Sequence, residues 1–131
     1  MPTRLLLVEN DQALVDLLER YLTRSGYEVS SAPSAQTALE LLHGTGSEMG
    51  ASPVTVALAI VDFYLTDERT GVDLLTAMRE AGHNFPVLLY SGYPFAVETL
   101  PVSLQANVWF LQKPFMPKVL SEMVVTILGS P

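Results

Sequence analysis

Short apolar runs alternate along this chain with segments whose apolar residues recur at the three- and four-residue spacing of an α-helix. The runs that predict strands cover residues 5–8, 27–31, 57–61, 87–90 and 108–111. Most of them are continuously apolar, which is typical of parallel strands covered on both faces. The pattern therefore favours a buried parallel sheet.

A helical segment follows each predicted strand. These segments cover residues 14–22, 35–42, 72–78, 95–100 and 118–128. Ser34 is a candidate N-cap for the second helix, and Gly26 and Gly82 follow the ends of the first and third. Pro101 does not fit inside a helix, so the fourth segment is predicted to be short. Residues 44–53, rich in Gly and Ser, predict a loop.

Five strand–helix units without a repeat or linker predict one α/β domain over residues 1–131. Right-handed crossovers restrict the possible topologies. We expect a flavodoxin-like, doubly wound sheet of five parallel strands in the order 2-1-3-4-5, with helices on both faces.

Composition narrows the possible functions. The chain has 131 residues, no cysteine and a formal net charge of −7. The absence of cysteine excludes disulfides and thiolate sites, and an acidic chain repels nucleic-acid phosphates. No run approaches the roughly 18 apolar residues that span a bilayer, and the short run after Met1 does not predict a signal peptide. We expect a cytoplasmic protein that binds neither nucleic acid nor membrane.

Function in such a sheet is expected at the carboxyl ends of the strands. Polar residues stand at four of these ends, namely Glu9-Asn10-Asp11, Asp62, Ser91-Gly92 and Lys113-Pro114. The four strands are neighbours in the predicted order, so their polar ends should converge on one pocket.

The predicted pocket has a definite chemistry. The oxygen ligands of Asp62, Glu9 and Asn10 suit Mg²⁺. A carboxylate can also attack phosphorus to give an aspartyl phosphate. Lys113 would neutralise charge on the transferred group and Ser91 would bind one of its oxygens.

These residues resemble the receiver domains of response regulators, over essentially the whole chain. The resemblance is carried by residues 6–11, by Ile60-Val61-Asp62 with Leu65 and Gly71, by residues 86–92 and by Lys113-Pro114-Phe115. The segments at 91–94 and 110–115 also resemble receivers attached to hybrid histidine kinases.

The resemblance implies a role for each residue of the pocket. Asp62 would be the phosphoacceptor, and Glu9 and Asn10 fall at the positions of the family's acidic pair, which helps to bind Mg²⁺. Asp62 and the backbone carbonyl of Tyr64 would be direct metal ligands. Ser91 would be the switch hydroxyl.

Two further roles follow from the fifth strand. Lys113 would pair with the phosphoryl group, and the Lys113-Pro114 peptide bond is expected to be cis. Phe110 matches the switch aromatic of the family, although both Phe110 and Trp109 are equally explained as strand residues that pack on the core.

The chain departs from the family pattern at several positions. Asn10 replaces the usual Asp, so we expect weaker Mg²⁺ binding, which Asp11 could partly offset through water. Thr66 stands where Pro is frequent, and the segment 62–71 is about one residue longer than usual. Pro101 interrupts the fourth helix, which often carries the signalling surface.

Two functions of different classes remain open. In the first, a histidine kinase or a phosphotransfer domain phosphorylates Asp62, and the change switches a protein-binding surface. In the second, favoured by Asn10 and Pro101, the chain is a pseudo-receiver that binds a partner without phosphorylation. A flavin or nucleotide binder fits less well, because Glu9-Asn10-Asp11 would repel phosphate.

Other side chains allow a functional and a plain interpretation. Val119 and Met123 widen the apolar stripe of the last helix, which suggests either a homodimer surface or a broad buried face. Tyr64 and Tyr93 could shield an acyl phosphate or simply cover the edge of the sheet. His43 and His83 have no predicted partner and are interpreted as solvated.

Overall fold

A computed structural model describes residues 3–44, 53–65, 70–92 and 97–129 of the protein. Its strands are β1 (Arg4–Val8), β2 (Glu28–Ala32), β3 (Leu58–Asp62), β4 (Val87–Ser91) and β5 (Val108–Gln112). Its α-helices are α1 (Gln12–Arg24), α2 (Ala35–His43), α3 (Gly71–Glu80) and α4 (Pro117–Leu128). Thr66, Tyr93 and most of the predicted loop at 44–53 lie outside the described residues.

The sheet has the predicted topology. Its five strands are all parallel and lie in the order β2-β1-β3-β4-β5. The register places Val8 beside Val61 and Asp62 beside Tyr90, so the carboxyl ends of β1, β3 and β4 lie level. This alignment brings the polar ends of the three central strands to one edge of the sheet.

Two hydrophobic cores cover the two faces of the sheet. One core joins residues of α2 and α3 to strand residues such as Val61 and Leu89. The other joins residues of α1 and α4 to the alternate strand residues, among them Ile60 and Tyr90. Because successive strand side chains point to opposite faces, a continuous apolar run supplies both cores, which explains the apolar strands in the sequence.

Capping side chains fix where the helices begin. Asp11 accepts hydrogen bonds from the N–H groups of Ala13 and Leu14 at 3.1 and 3.4 Å, and Ser34 accepts one from Thr37 at 3.2 Å. Each cap satisfies a backbone donor that the first helical turn leaves without a partner. Asp11 thereby starts α1 directly after the polar end of β1.

The predicted fourth α-helix is wrong for the residues that the structure describes. Two 3₁₀ turns, Val97–Thr99 and Val102–Leu104, occupy the connection between β4 and β5. Pro101 precedes the second turn as its N-cap. Proline has no N–H to donate and its ring clashes with the preceding turn of a helix, so the two turns cannot merge into one α-helix. The described part of the chain therefore contains four α-helices instead of five.

The two histidines also differ from their interpretation as residues without a partner. Their rings stack, with centroids 5.3 Å apart and planes 16° apart, and His83 lies against Phe85 at 5.7 Å. His43 ends α2 and His83 follows α3, so the stack joins two neighbouring helix ends.

Candidate functional site

Asp62 is the last residue of β3 and is nearly buried, with a relative exposure of 5%. Its Oδ1 accepts a hydrogen bond of 3.1 Å from the N–H of Tyr64. Its Oδ2 accepts one of 3.0 Å from Nζ of Lys113. Each oxygen thus has one donor, which holds the carboxylate in one orientation at the end of the sheet.

Gly71, the first residue of α3, packs closely against the backbone of Asp62 and Phe63. The N–H of Gly71 donates a hydrogen bond of 2.8 Å to the carbonyl of Phe63. A Cβ at position 71 would lie 2.7 Å from the carbonyl oxygen of Asp62 and 3.0 Å from Cα of Phe63. Only glycine allows the start of α3 to approach this loop so closely.

Lys113 follows β5 and reaches across β4 to the end of β3. Its backbone N–H donates a hydrogen bond of 2.8 Å to the carbonyl of Ser91. The Lys113-Pro114 peptide bond is cis, as the sequence predicts. The ammonium group lies beside the carboxylate of Asp62, and the side chain of Lys113 keeps 35% of its surface exposed.

Glu9 is the most enclosed acid of the site, with 2% exposure. Its Oε1 accepts a hydrogen bond of 2.6 Å from the hydroxyl of Tyr90, and its Oε2 accepts one of 3.0 Å from the N–H of Asp11. Nζ of Lys113 lies 4.0 Å from Oε1. Glu9 and Asp62 therefore share one lysine, which lies closer to Asp62.

Ser91 and Asn10 complete the predicted set. Ser91 is buried at the end of β4, the strand beside β3, and no atom of the described residues would lie within 4 Å of a Cβ added at Gly92. Asn10 lies beside Glu9 and is exposed. The structure thus brings Lys113 into contact with Asp62 and within 4.0 Å of Glu9, with Ser91 and Asn10 on adjoining segments.

The aromatic residues of the site lie at different depths. Phe110 is partly buried and packs against the core on the α2–α3 side, whereas the neighbouring Trp109 is exposed. Tyr64 is 61% exposed, and its ring meets the ring of Phe63 edge-on at 5.0 Å. Phe110 therefore packs on the core, whereas the side chain of Tyr64, two residues after Asp62, is exposed.

Burial and neighbouring charges set the protonation of the site. Burial raises the pKa of Asp62 above its usual value, and the donors Tyr64 N–H and Lys113 oppose this only in part. Burial, followed by the hydrogen bond to Glu9, raises the pKa of the Tyr90 hydroxyl far above its usual value. Tyr90 is therefore a permanent donor to Glu9.

The oxygen atoms of the site fit a hard divalent cation. Glu9 directly follows β1 and Asp62 ends the neighbouring β3, both carboxylates are buried, and the exposed Asn10 follows Glu9 in the chain. Within the described residues no group of three or more acidic or histidine side chains gathers for a metal. This is compatible with Mg²⁺, which uses one or two carboxylates and retains several waters.

The sequence did not point to Tyr90 as a residue of the site. It is fully buried in β4, and its hydroxyl lies 2.6 Å from Glu9, 81 positions away in the chain. The one available signal was a tyrosine at the polar end of an otherwise aliphatic strand, because a buried phenol usually requires a hydrogen-bond partner.

The last helix has a narrower free face than the sequence suggested. Leu120 and Val124 are buried, and Met123 packs against the same core. Val119 and Val125 are exposed. Met123 is thus a core residue, and the exposed apolar surface consists of separate valines.

No helix in the described ranges has the length and apolar content needed to cross a bilayer.

Comparison with known proteins identifies a family that matches most of the chain. The response regulator receiver domain family matches residues 5–125. The chain is 28% identical over 128 residues to YrkP of Bacillus subtilis (strain 168), an uncharacterized transcriptional regulatory protein, covering 98% of this chain and 50% of that protein. It is 29% identical over 113 residues to the transcriptional regulatory protein GlrR of Escherichia coli (strain K12), covering 86% and 23%. The chain spans half or less of these relatives.

Solved receiver structures share the fold. CheY4 of Vibrio cholerae aligns with a TM-score of 0.80 at 20% identity, covering 98% of this chain and 100% of that one. The receiver of the hybrid histidine kinase CckA aligns with a TM-score of 0.73 at 29% identity, covering 95% and 98%. Receivers of different protein types match similarly, so attachment to a hybrid kinase stays a prediction. With the family match over 5–125, the chain belongs to the response regulator receiver domain family of two-component signal transduction.

Proposed function

We propose that this receiver accepts a phosphoryl group on Asp62. The contact that carries the proposal is the hydrogen bond of 3.0 Å from Nζ of Lys113 to Oδ2 of Asp62 at the carboxyl end of the sheet. A buried carboxylate beside a cation has both a nucleophilic oxygen and a partner for the charge that arrives with phosphate.

The chemistry is a direct transfer. An oxygen of Asp62 forms a bond to phosphorus while the bond from phosphorus to the donor atom breaks, and the donor leaves with its electron pair. When the donor is a phosphohistidine, the leaving imidazole nitrogen takes up a proton. Lys113 then pairs with the phosphoryl oxygens, which bring more negative charge than the carboxylate alone.

Members of the receiver family typically bind Mg²⁺. In this chain Glu9, Asn10, Asp62 and the backbone carbonyl of Tyr64 would hold the ion. When bound, it would neutralise charge on the transferred group. The protein itself already orients the carboxylate of Glu9, because both oxygens of Glu9 accept hydrogen bonds from protein groups.

The proposed conformational switch would couple the position of Ser91 to the packing of Phe110. The hydroxyl of Ser91 would donate a hydrogen bond to a phosphoryl oxygen, and the movement of β4 would change the packing of Phe110 on the core. Phe110 is partly buried against the core, so this packing is the contact that the switch would change.

Receiver domains partner with histidine kinases. We propose a histidine kinase or a phosphotransfer domain as the donor here, and a protein as the output partner. We also propose a homodimer through α4 as a form of output, because Val119 and Val125 of this helix are exposed.

A second candidate function is supported by Asn10. This residue replaces one carboxylate of the acidic pair by a neutral amide, which lowers the negative charge available to a cation. A pseudo-receiver would use the same surface to bind its partner without phosphorylation.

Phosphorylation by a small-molecule donor separates the two candidates. The protein is incubated with Mg²⁺ and acetyl phosphate, and its intact mass is measured. We expect wild type and the control variant Asp16→Asn, changed at an exposed acid of α1, to gain one phosphoryl group, and Asp62→Asn to gain none. An unchanged wild-type mass would support the pseudo-receiver.

A further inference from the structure

Two hydrogen-bond donors, the hydroxyl of Tyr90 and the ammonium of Lys113, lie near the same oxygen of Glu9. The hydroxyl of Tyr90 lies 2.6 Å from Oε1, and Nζ of Lys113 lies 4.0 Å from it. The same ammonium lies 3.0 Å from Oδ2 of Asp62. The lysine therefore stands between two buried carboxylates and contacts only one of them directly.

Tyr90 is held rigidly in this position. Its side chain is fully buried in β4, in the register position beside Asp62. Its ring packs edge-on against the ring of Phe115, with centroids 5.5 Å apart. The hydroxyl cannot move away from Glu9 without displacing the core, so the hydrogen bond is set by packing.

The ring of Tyr90 also contacts the lysine. Nζ of Lys113 lies 4.9 Å from the ring centroid. A cation at this distance from an aromatic ring is attracted by the ring electrons. One residue thus contacts both members of the charged pair, through its hydroxyl on Glu9 and through its ring at Lys113.

The attraction of Glu9 for Lys113 depends on the hydrogen-bond donors that Glu9 already has. A buried carboxylate needs a donor for each oxygen, and a hydrogen bond to an ionised oxygen is about twice as strong as one between neutral groups. Tyr90 and the N–H of Asp11 supply these donors to Glu9. Without the phenol, Oε1 would be a buried charge with one donor lost, and it would attract the ammonium 4.0 Å away.

We propose that Tyr90 is a positioning residue that keeps Lys113 on Asp62 by occupying the competing oxygen of Glu9. This arrangement leaves the lysine where an incoming phosphoryl group would need it, a consequence that rests on the proposed function. The positioning itself is a property of the protein before any phosphoryl group or metal binds.

Crystal structures of the metal-free protein test the positioning. We expect Tyr90→Phe to move Nζ of Lys113 into direct contact with Oε1 of Glu9 and away from Asp62. Tyr27→Phe is the matched control, because it removes another buried phenol from the same core without touching the site. It should leave Lys113 in place. A lysine that stays on Asp62 in Tyr90→Phe would overturn the proposal.

Binding of beryllofluoride with Mg²⁺ tests the consequence for the site. We expect Tyr90→Phe to weaken this binding by about tenfold, as the loss of one charged hydrogen bond would. In a Glu9→Gln background the competing charge is gone, so adding Tyr90→Phe should change little. An equal loss in that background would show that Tyr90 acts through packing, against the proposal.

The two tests also separate this proposal from the proposed function. If the wild type binds no beryllofluoride, phosphoacceptance by Asp62 is contradicted. The position of Lys113 in the metal-free crystals then still decides whether Tyr90 directs the lysine.

Discussion

The hydroxyl of Tyr90 and Oε1 of Glu9 form a buried hydrogen bond of 2.6 Å that joins residues 81 positions apart. Removal of this donor should destabilise the protein, because it leaves a desolvated carboxylate oxygen without one of its partners. We expect Tyr90→Phe to lower the free energy of unfolding by about 1–2 kcal/mol, part of the loss being offset by Lys113. Urea denaturation of the metal-free protein measures the change.

Tyr27→Phe is the control for that measurement. Tyr27 is also buried, but within the part of the chain that the structure describes its hydroxyl has no hydrogen-bond partner. Removing an unsatisfied buried hydroxyl should leave stability unchanged or raise it. Equal losses in the two variants would contradict the special status of the hydrogen bond between Tyr90 and Glu9.

The close approach of Gly71 to the phosphoacceptor loop gives a second prediction. An added Cβ would lie 2.7 Å from the carbonyl oxygen of Asp62, and backbone must shift to admit it. We expect Gly71→Ala to cost about 1–3 kcal/mol of stability, the range for overpacking. In Gly92→Ala the Cβ meets no atom of the described residues within 4 Å, so a similar loss of stability in that variant would refute the explanation.

The stacked histidines predict how stability depends on pH. Burial, and then the nearby His43, lower the pKa of His83 below its usual value. As the pH falls below about 6.5, His83 therefore binds a proton in the unfolded chain before it does so in the folded protein. Stability should be full above that pH and decline as the pH falls through the lowered pKa of the folded state.

Two variants isolate this effect in thermal melts between pH 7.5 and 5, a window chosen around the reference value. His83→Gln should flatten the decline, and His43→Gln should flatten it less, because His43 is the smaller of the two causes. The guanidinium of Arg79 donates a hydrogen bond to the carbonyl of His83 and stays charged between about pH 7.5 and 5, so it does not contribute to the change of stability with pH. An unchanged slope in His83→Gln would contradict the assignment.

The strands and the polar strand ends could be predicted from the sequence because both depend on local pattern. Continuous apolar runs indicated a doubly covered sheet, and parallel strands necessarily bring their carboxyl ends to one edge. Asp62 and Lys113 were predicted there, and their side chains are in contact.

The remaining features depend on contacts between distant segments. Pattern alone did not show that Pro101 would divide the fourth helical segment into two 3₁₀ turns, because the choice depends on how the turns pack. The stack of His43 and His83 forms between two helix ends that the sequence does not place side by side. The hydrogen bond of Tyr90 to Glu9 likewise exists only after β1 and β4 have joined the sheet.

The amide at position 10 predicts a change in metal affinity. Asn10 is exposed beside the buried Glu9, so a carboxylate there would add one negative charge to the site at little cost of burial. We expect Asn10→Asp to strengthen Mg²⁺ binding by about three- to tenfold, measured by calorimetry. Gln12→Asp, at an exposed position of α1, is the control that tests whether added charge alone has this effect. An equal gain in both variants would contradict a role for position 10.

The central claim is that Asp62 itself carries the phosphoryl group. After incubation with acetyl phosphate and Mg²⁺, sodium borohydride reduces an aspartyl phosphate to homoserine and a glutamyl phosphate to 5-hydroxynorvaline, and either product marks the modified residue in a peptide map. The account predicts homoserine at position 62 in the wild type and no mark elsewhere. An unmodified position 62, or a mark on Glu9 or another carboxylate, would contradict it.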